Sequence, residues 1–233
     1  MLLEVCVDDA LGLAAAVAGG ADRIELCAAL GIGGLTPSQG LMEVAAGCGL
    51  PAYPMIRGRA GNFIFDAAEV AVMRRDIRAA RAAGLTGVVL GASRPDGNLD
   101  TGVLSDLIAE ATGLDLTLHR AGDLAPDVDE AIETAVTLGF RRILSSGGAR
   151  FAHHGLPRLA RMIATAAGRL SVMPGSGVSV ETWPLLAGLG VSEVHASCST
   201  PIPSQPDAFG FVTGSEKQTD RAKVRVLKEV LKS

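Results

Sequence analysis

The chain has no C-x-x-C pair, no basic run outside its last stretch, no apolar segment of membrane length and no Pro/Ser-rich linker. Each absence closes off a class of protein. Its four cysteines, Cys6, Cys27, Cys48 and Cys198, lack zinc-ribbon spacing and are too few in 233 residues for a disulfide framework. Reduced thiols in a cytoplasmic protein are therefore expected. The formal net charge of −4 leaves no electrostatic footprint for a polyanion, so no nucleic-acid partner is expected. Gly, Asp or Arg interrupts every hydrophobic stretch and no basic-plus-apolar leader opens the chain, which disfavours membrane insertion and secretion.

What is present is a chain with 48% hydrophobic and 20% charged residues, enough to build one large core. A local pattern repeats in it: a glycine after an Ala/Leu-rich helical segment, then three residues, then a short β run. It starts at Gly20, Gly84, Gly139 and Gly190, each placed where a helix ends in a left-handed residue. The copies are far enough apart for two strand–helix units each, and a second series of β runs at 2–7, 52–57, 115–119 and 169–173 fills the gaps.

Interleaved, the two series predict eight strands, followed by helices over 9–18, 37–46, 67–83, 101–111, 128–138, 156–166, 180–189 and 217–231. That alternation defines an α/β chain, a single-domain TIM (β/α)8 barrel over 1–233, with an open doubly wound sheet as the alternative layout. The loose stretch near 199–216 is expected to be a loop before the C-terminal helix near 217–231.

Strand parity then sorts the side chains, because alternate residues face the helices or the barrel axis. Leu3, Val5, Val7, Ile24 and Leu26 are the helix-facing set. Their neighbours Glu4, Cys6, Arg23, Glu25 and Cys27 point inward, as do Tyr53, Met55, Arg57, Thr117, His119, Arg142, Leu144, Ser146, Ser171, Met173, His195 and Ser197. Barrels of this class keep their chemistry at the C-terminal strand ends, which selects Glu25, Arg57, His119, His195 and Ser197. Glu4, Arg23, Arg142 and Glu193 have a competing reading as ion pairs in the barrel floor.

Two chemistries are compatible with that set. In the first, His119, Glu25 and Glu4 move protons, while Arg57 and Arg59 offer guanidinium forks to a small phosphorylated or carboxylated ligand. The Gly175-Ser176-Gly177 turn would cradle an anion before a helix opened by Ser179, with His195 and Ser197 beside it. Structural alternatives are loop-anchoring salt bridges for the arginines and a His119 simply bonded to Glu. In the second, Cys6, Cys27, His119 and His195 supply soft sulfur and nitrogen donors suited to copper(I), although buried Cys is also ordinary core material.

The strings "ADRIELCAALGIGGLTPSQG" (21–40), "MIRGRAGNFIF" (55–65), "LHRAGD" (118–123), "ILSSGG" (143–148) and "EVHAS" (193–197) occur in that order. Together they resemble the CutC copper homeostasis family across nearly the whole chain. The resemblance implies a cytoplasmic TIM barrel forming a homodimer or homotetramer, with a role in copper handling. Arg57-Gly58-Arg59 stands where the family favours Arg-Pro-Arg, and Gly122 stands where it favours Phe. Both glycines are expected to loosen the backbone beside the site. Three functions thus compete: copper handling, an enzyme acting on a small anion, and a non-catalytic oligomeric scaffold.

Overall fold

The computed structural model describes residues 1–202 and 216–232. Its parallel strands are β1 (Leu2–Val7), β2 (Arg23–Leu26), β3 (Ala52–Pro54) and β4 (Gly87–Leu90), then β5 (Asp115–Leu118), β6 (Arg142–Ser145), β7 (Ser171–Pro174) and β8 (Glu193–Ala196). They pair in the orders β3-β2-β1-β8 and β4-β5-β6-β7. Between β3 and β4, Met55 bridges Val89 and the Ile56 N–H donates to the Val89 carbonyl at 2.7 Å. At the other seam β7 and β8 lie side by side without a ladder, which completes a (β/α)8 ring.

The intervening helices are α1 (Ala10–Gly19), α2 (Gln39–Ala46), α3 (Ala67–Ala82), α4 (Thr101–Glu110), α5 (Val128–Thr137) and α6 (Leu156–Ala166). Side chains cap the starts of α1 to α5: Asp9 accepts from the Gly12 N–H, Ser38 from Leu41, Asp100 from Val103 and Asp127 from Asp129, while Asp66 and Glu69 form a reciprocal capping box. The repeated glycines end helical segments as expected, with φ of 92° at Gly20, 81° at Gly84, 82° at Gly139 and 69° at Gly190. Each even strand begins three residues later, at Arg23, Gly87, Arg142 and Glu193. The repeat therefore sets the height at which even strands enter the barrel.

Parity holds as well. Leu3, Val5, Val7, Ile24 and Leu26 belong to the large core under the helices, whereas Cys27, Tyr53, Met55 and Val89 form a separate cluster inside the ring. Full burial of a Leu or Ile side chain contributes roughly 1.5–3 kcal/mol, so the outer shell holds the strands in register.

Two helix boundaries need correction. The helix expected over 180–189 is α7 (Trp183–Leu186), continued by a 3-10 turn, Ala187–Leu189. Pro184 so near its start contributes no N–H, and Gly188 disfavours continuation. The helix expected over 217–231 begins later, as α8 (Arg221–Val230), capped by Asp220. Lys217–Thr219 is instead a strand, β10, antiparallel to β9 (Ser199–Pro201), so the start of the expected loop near 199–216 pairs with the start of the expected helix. Residues 203–215 of that loop lie outside the described residues.

Candidate functional site at the barrel mouth

The lower inner layer is a charge network. Arg23 donates through Nε to Glu4 and through Nη2 to Glu193 Oε2 at 2.5 Å. Arg142 donates to Thr117 Oγ1 at 2.9 Å and faces Glu193 at 3.5 Å, and both guanidinium groups lie over the Tyr53 ring. Gly87 leaves room for that ring, since a Cβ there would sit 2.2 Å from it. For Arg23, Arg142 and Glu193 the floor reading holds. Glu4 belongs to both levels, because its second oxygen contacts His195 Nδ1 at 2.9 Å.

Above the floor, His195 lies between two carboxylates: Glu4 on Nδ1, and Glu25 Oε2 at 3.7 Å from Nε2. Burial pushes Glu4 upward, but the hydrogen bond from His195 and the charge of Arg23 overcome it and hold the carboxyl at about 2. For Glu25 burial dominates and raises the carboxyl, with His195 offsetting part of the rise. His195 itself is pushed down by burial, yet Glu25, Cys6 and Glu4 outweigh that and raise it well above 6.5. The ring is an imidazolium between one firmly ionised carboxylate and one reluctant one.

Cys6 completes this corner. Ligand atoms of Cys6, Glu25 and His195 lie within 4.8 Å of one another, all buried. The Cys27 thiol donates to Glu25 Oε2 at 3.6 Å, and burial together with Glu25 pushes it well up, so it is a neutral thiol in this state. The fit to a soft or borderline cation is good on one specific count. His195 has its Nδ1 oriented by a carboxylate, the outer-shell arrangement that metal-binding histidines use. A cation here would be held by Cys6, Glu25 and His195, displacing the imidazolium proton. His119, expected among the metal donors, is not part of this group.

His119 instead packs against Phe63, with ring centroids 4.7 Å apart, and its Nδ1 accepts from the Ala121 N–H at 3.1 Å. Burial, with the positive charge of Arg57, lowers its pKa to about 3, so the ring is neutral and carries its proton on Nε2. It faces neither Glu4 nor Glu25 through any hydrogen bond. A glycine makes the space for it: a Cβ on Gly91 would fall 2.5 Å from the ring.

The arginines and the glycine turn differ from expectation. Arg57 does not present an open fork, since Nη1 donates to the Ile32 and Gly34 carbonyls and Nη2 to Gly61, tying two mouth loops together. Only its buried Nε lacks a partner. Arg59 is a loop anchor, paired with Glu69 and donating to the Asn62 and Ile64 carbonyls. At the expected cradle, the Gly175 N–H is taken by the Ser145 carbonyl, Ser176 Oγ donates to the Arg150 carbonyl, and Gly177 packs against Phe151. The helix that follows is four residues long, too short for a useful dipole. Gly175 serves sterically: a Cβ there would meet Leu144 at 2.4 Å and His195 at 3.2 Å.

The polar end of "LHRAGD" is likewise structural. Asp123 accepts from Ser145 Oγ at 2.5 Å, Ser146 N at 3.1 Å, Gly148 N at 3.2 Å and Arg120 Nε at 3.0 Å, so its carboxylate fills the "SSGG" loop as a bound anion would. Gly122 does not loosen this region. It is buried, and a Cβ would lie 2.8 Å from Ile143. Ser197 bonds Ser199 at 3.1 Å and, with Cys6, Asp8 and Lys217, lines a cleft of about 630 Å³ among the described residues.

Parity missed Gly91, Ser93 and Phe63. The β4 run Gly-Val-Val-Leu has no apolar/polar alternation to read, and Phe63 sits on a loop where parity does not apply.

The fold and site together define a TIM barrel with a buried acid–imidazole–thiol cluster at its mouth. The model of the CutC family matches residues 1–200, and the chain belongs to that family. A CutC family protein of Sinorhizobium medicae is 57% identical over 99% of this chain and 96% of its own length. One from Vibrio cholerae is 45% identical over 87% of this chain and 82% of its own. The solved structure of a Streptococcus agalactiae CutC, whose name ties it to copper homeostasis, superposes with a TM-score of 0.81 at 30% identity, covering 84% of this chain and 98% of that one. More distant barrels, such as an aldolase at 12% identity and TM-score 0.64, share the fold alone. No lysine precedes Lys217, so strands β1 to β8 hold no amine for aldolase-type imine chemistry.

Proposed function

We propose that this protein takes part in copper homeostasis, as the name of its Streptococcus agalactiae relative says of that protein, by holding copper(I) at the barrel mouth. The observation that carries this reading is the convergence of Cys6, Glu25 and His195 within 4.8 Å, with Glu4 orienting the imidazole. Copper(I) favours thiolate and imidazole, so Cys6 and His195 are the principal donors, with Cys27 near enough to Glu25 to be recruited. Free cysteines and the absence of a membrane-length apolar helix among the described residues suit a cytoplasmic, reducing setting.

The test is an anaerobic copper(I) titration against a competing chelator. One equivalent per chain is expected, with affinity at least tenfold weaker in Cys6→Ser and about 10–100-fold weaker in Glu4→Gln, which removes the charge that orients His195 and pairs with Arg23. No stoichiometric binding, or indifference to Cys6, would overturn the reading.

A second reading, an enzyme using acid–base chemistry on a small anionic metabolite, is favoured by a separate observation. Glu4 and Glu25 flank one imidazole, with one carboxyl held at about 2 and the other raised, and Glu25 Oε1 is buried without a partner. Environments that push two carboxyls apart are how sites divide acid and base roles. Glu25 is the proton-transfer group in this reading. Turnover found in a screen of carboxylated and phosphorylated metabolites should vanish in Glu25→Gln while the fold persists. Turnover that survives the change removes Glu25 from the role.

A further inference from the structure

Three buried side chains on the β3 to β5 side of the mouth each keep a polar atom with no partner: Arg57 Nε, Ser93 Oγ and His119 Nε2. Their residues are 5%, 3% and 3% exposed, so bulk water does not serve them. Phe63 contacts all three residues, His119 and Arg57 through their side chains and Ser93 through its backbone. The Phe63 ring packs on His119 at 4.7 Å and under the Arg57 guanidinium at 5.1 Å, and the Phe63 carbonyl accepts from the Ser93 N–H at 2.8 Å. A native fold rarely leaves such groups open in one place, because each costs about 1–3 kcal/mol when desolvated without a partner.

Their chemistry is of one kind. Arg57 Nε–H is a charged donor, and since His119 Nδ1 already accepts from Ala121, Nε2 is the ring's N–H donor. Ser93 adds a hydroxyl. Three donors and one positive charge call for an oxygen acceptor of single negative charge. A phosphate dianion is poorly matched: the other Arg57 nitrogens are spent on Ile32, Gly34 and Gly61, Arg59 is spent on Glu69, and the Gly175 N–H is spent on Ser145.

We propose that Arg57 Nε, Ser93 Oγ and His119 Nε2 form a binding site for the carboxylate of a small monoanionic ligand, distinct from the Cys6, Glu25 and His195 corner. This supplies a ligand class for the enzyme reading and depends on that reading only for the chemistry after binding.

The test uses the full chain, freed of metal by passage over chelating resin, and side-chain 15N NMR. Acetate, lactate, pyruvate and inorganic phosphate are titrated separately. At least one carboxylate should shift the Arg57 Nε–H and His119 Nε2–H resonances saturably, phosphate should not, and Ser93→Ala should weaken the effect about tenfold. No saturable shift with any of the three carboxylates overturns the proposal, as does phosphate binding at equal or greater strength. Carboxylate binding with no turnover by the enzyme screen would retain this site and discard the enzyme reading.

Discussion

At the N-terminal end of the barrel Arg23 lies between Glu4 and Glu193, and Arg142 reaches Thr117, whereas at the C-terminal end Arg57, Ser93 and His119 each keep a buried polar atom unpaired. Both levels bury polar groups inside one ring, so burial alone does not mark function. Satisfaction does. The floor's one unpartnered buried atom, Arg142 Nε, still faces an opposite charge, Glu193 Oε2 at 3.5 Å. The mouth leaves open donors on one side and, on the other, the unpaired Glu25 Oε1 beside a cysteine and a histidine.

The contrast can be broken most forcefully from below. Arg23→Met leaves buried Glu4 with His195 alone and Glu193 with Arg142 alone, and urea unfolding should show a loss of about 3–5 kcal/mol, whereas a loss under about 1 kcal/mol would mean the floor network is not holding the barrel. Gly91→Ala presses a methyl group into the His119 ring, and the same assay should record about 3 kcal/mol, the upper end for overpacking.

A pH comparison isolates the mouth next. His119 titrates at about 3 in the folded chain against an ordinary value of 6.5, so the unfolded chain takes up the proton first. Stability from this group is present above pH 6.5 and lost as pH falls toward 3, which amounts to about 2 kcal/mol by pH 5. Unfolding curves at pH 7 and pH 5 should therefore show wild type losing about 2 kcal/mol more than His119→Gln; parallel losses would contradict the buried neutral imidazole. The smallest effect belongs to Ser93→Ala. Removing an unpartnered hydroxyl should cost no stability, since nothing in the fold is bonded to it, and a loss above about 0.5 kcal/mol would reveal a partner within the fold.

Much of this was legible from the repeat. Glu25 and His195 each stand five residues after a repeated glycine, so they enter the barrel at one height, and they lie 3.7 Å apart. Arg23, Arg142 and Glu193 stand three residues after theirs and share the floor. The less legible groups depended on partners distant in sequence. Whether Arg57 binds a ligand or a loop is decided by carbonyls at Ile32, Gly34 and Gly61, and the Gly175 turn is closed by Ser145. Asp123 stands at a polar strand end that reads the same whether it serves chemistry or, as here, ties down the loop after β6.

The sequence by itself determined the eight-unit ring, the heights of its even strands and the inward parity of Cys6, Glu25, His119 and His195, because helix ends and strand alternation are local and periodic. Only the tertiary structure decided which inward groups meet and which donors remain unspent. Hydrogen-bond capacity is finite, and a side chain's free valence is known only after every neighbour brought in by the fold has taken its share.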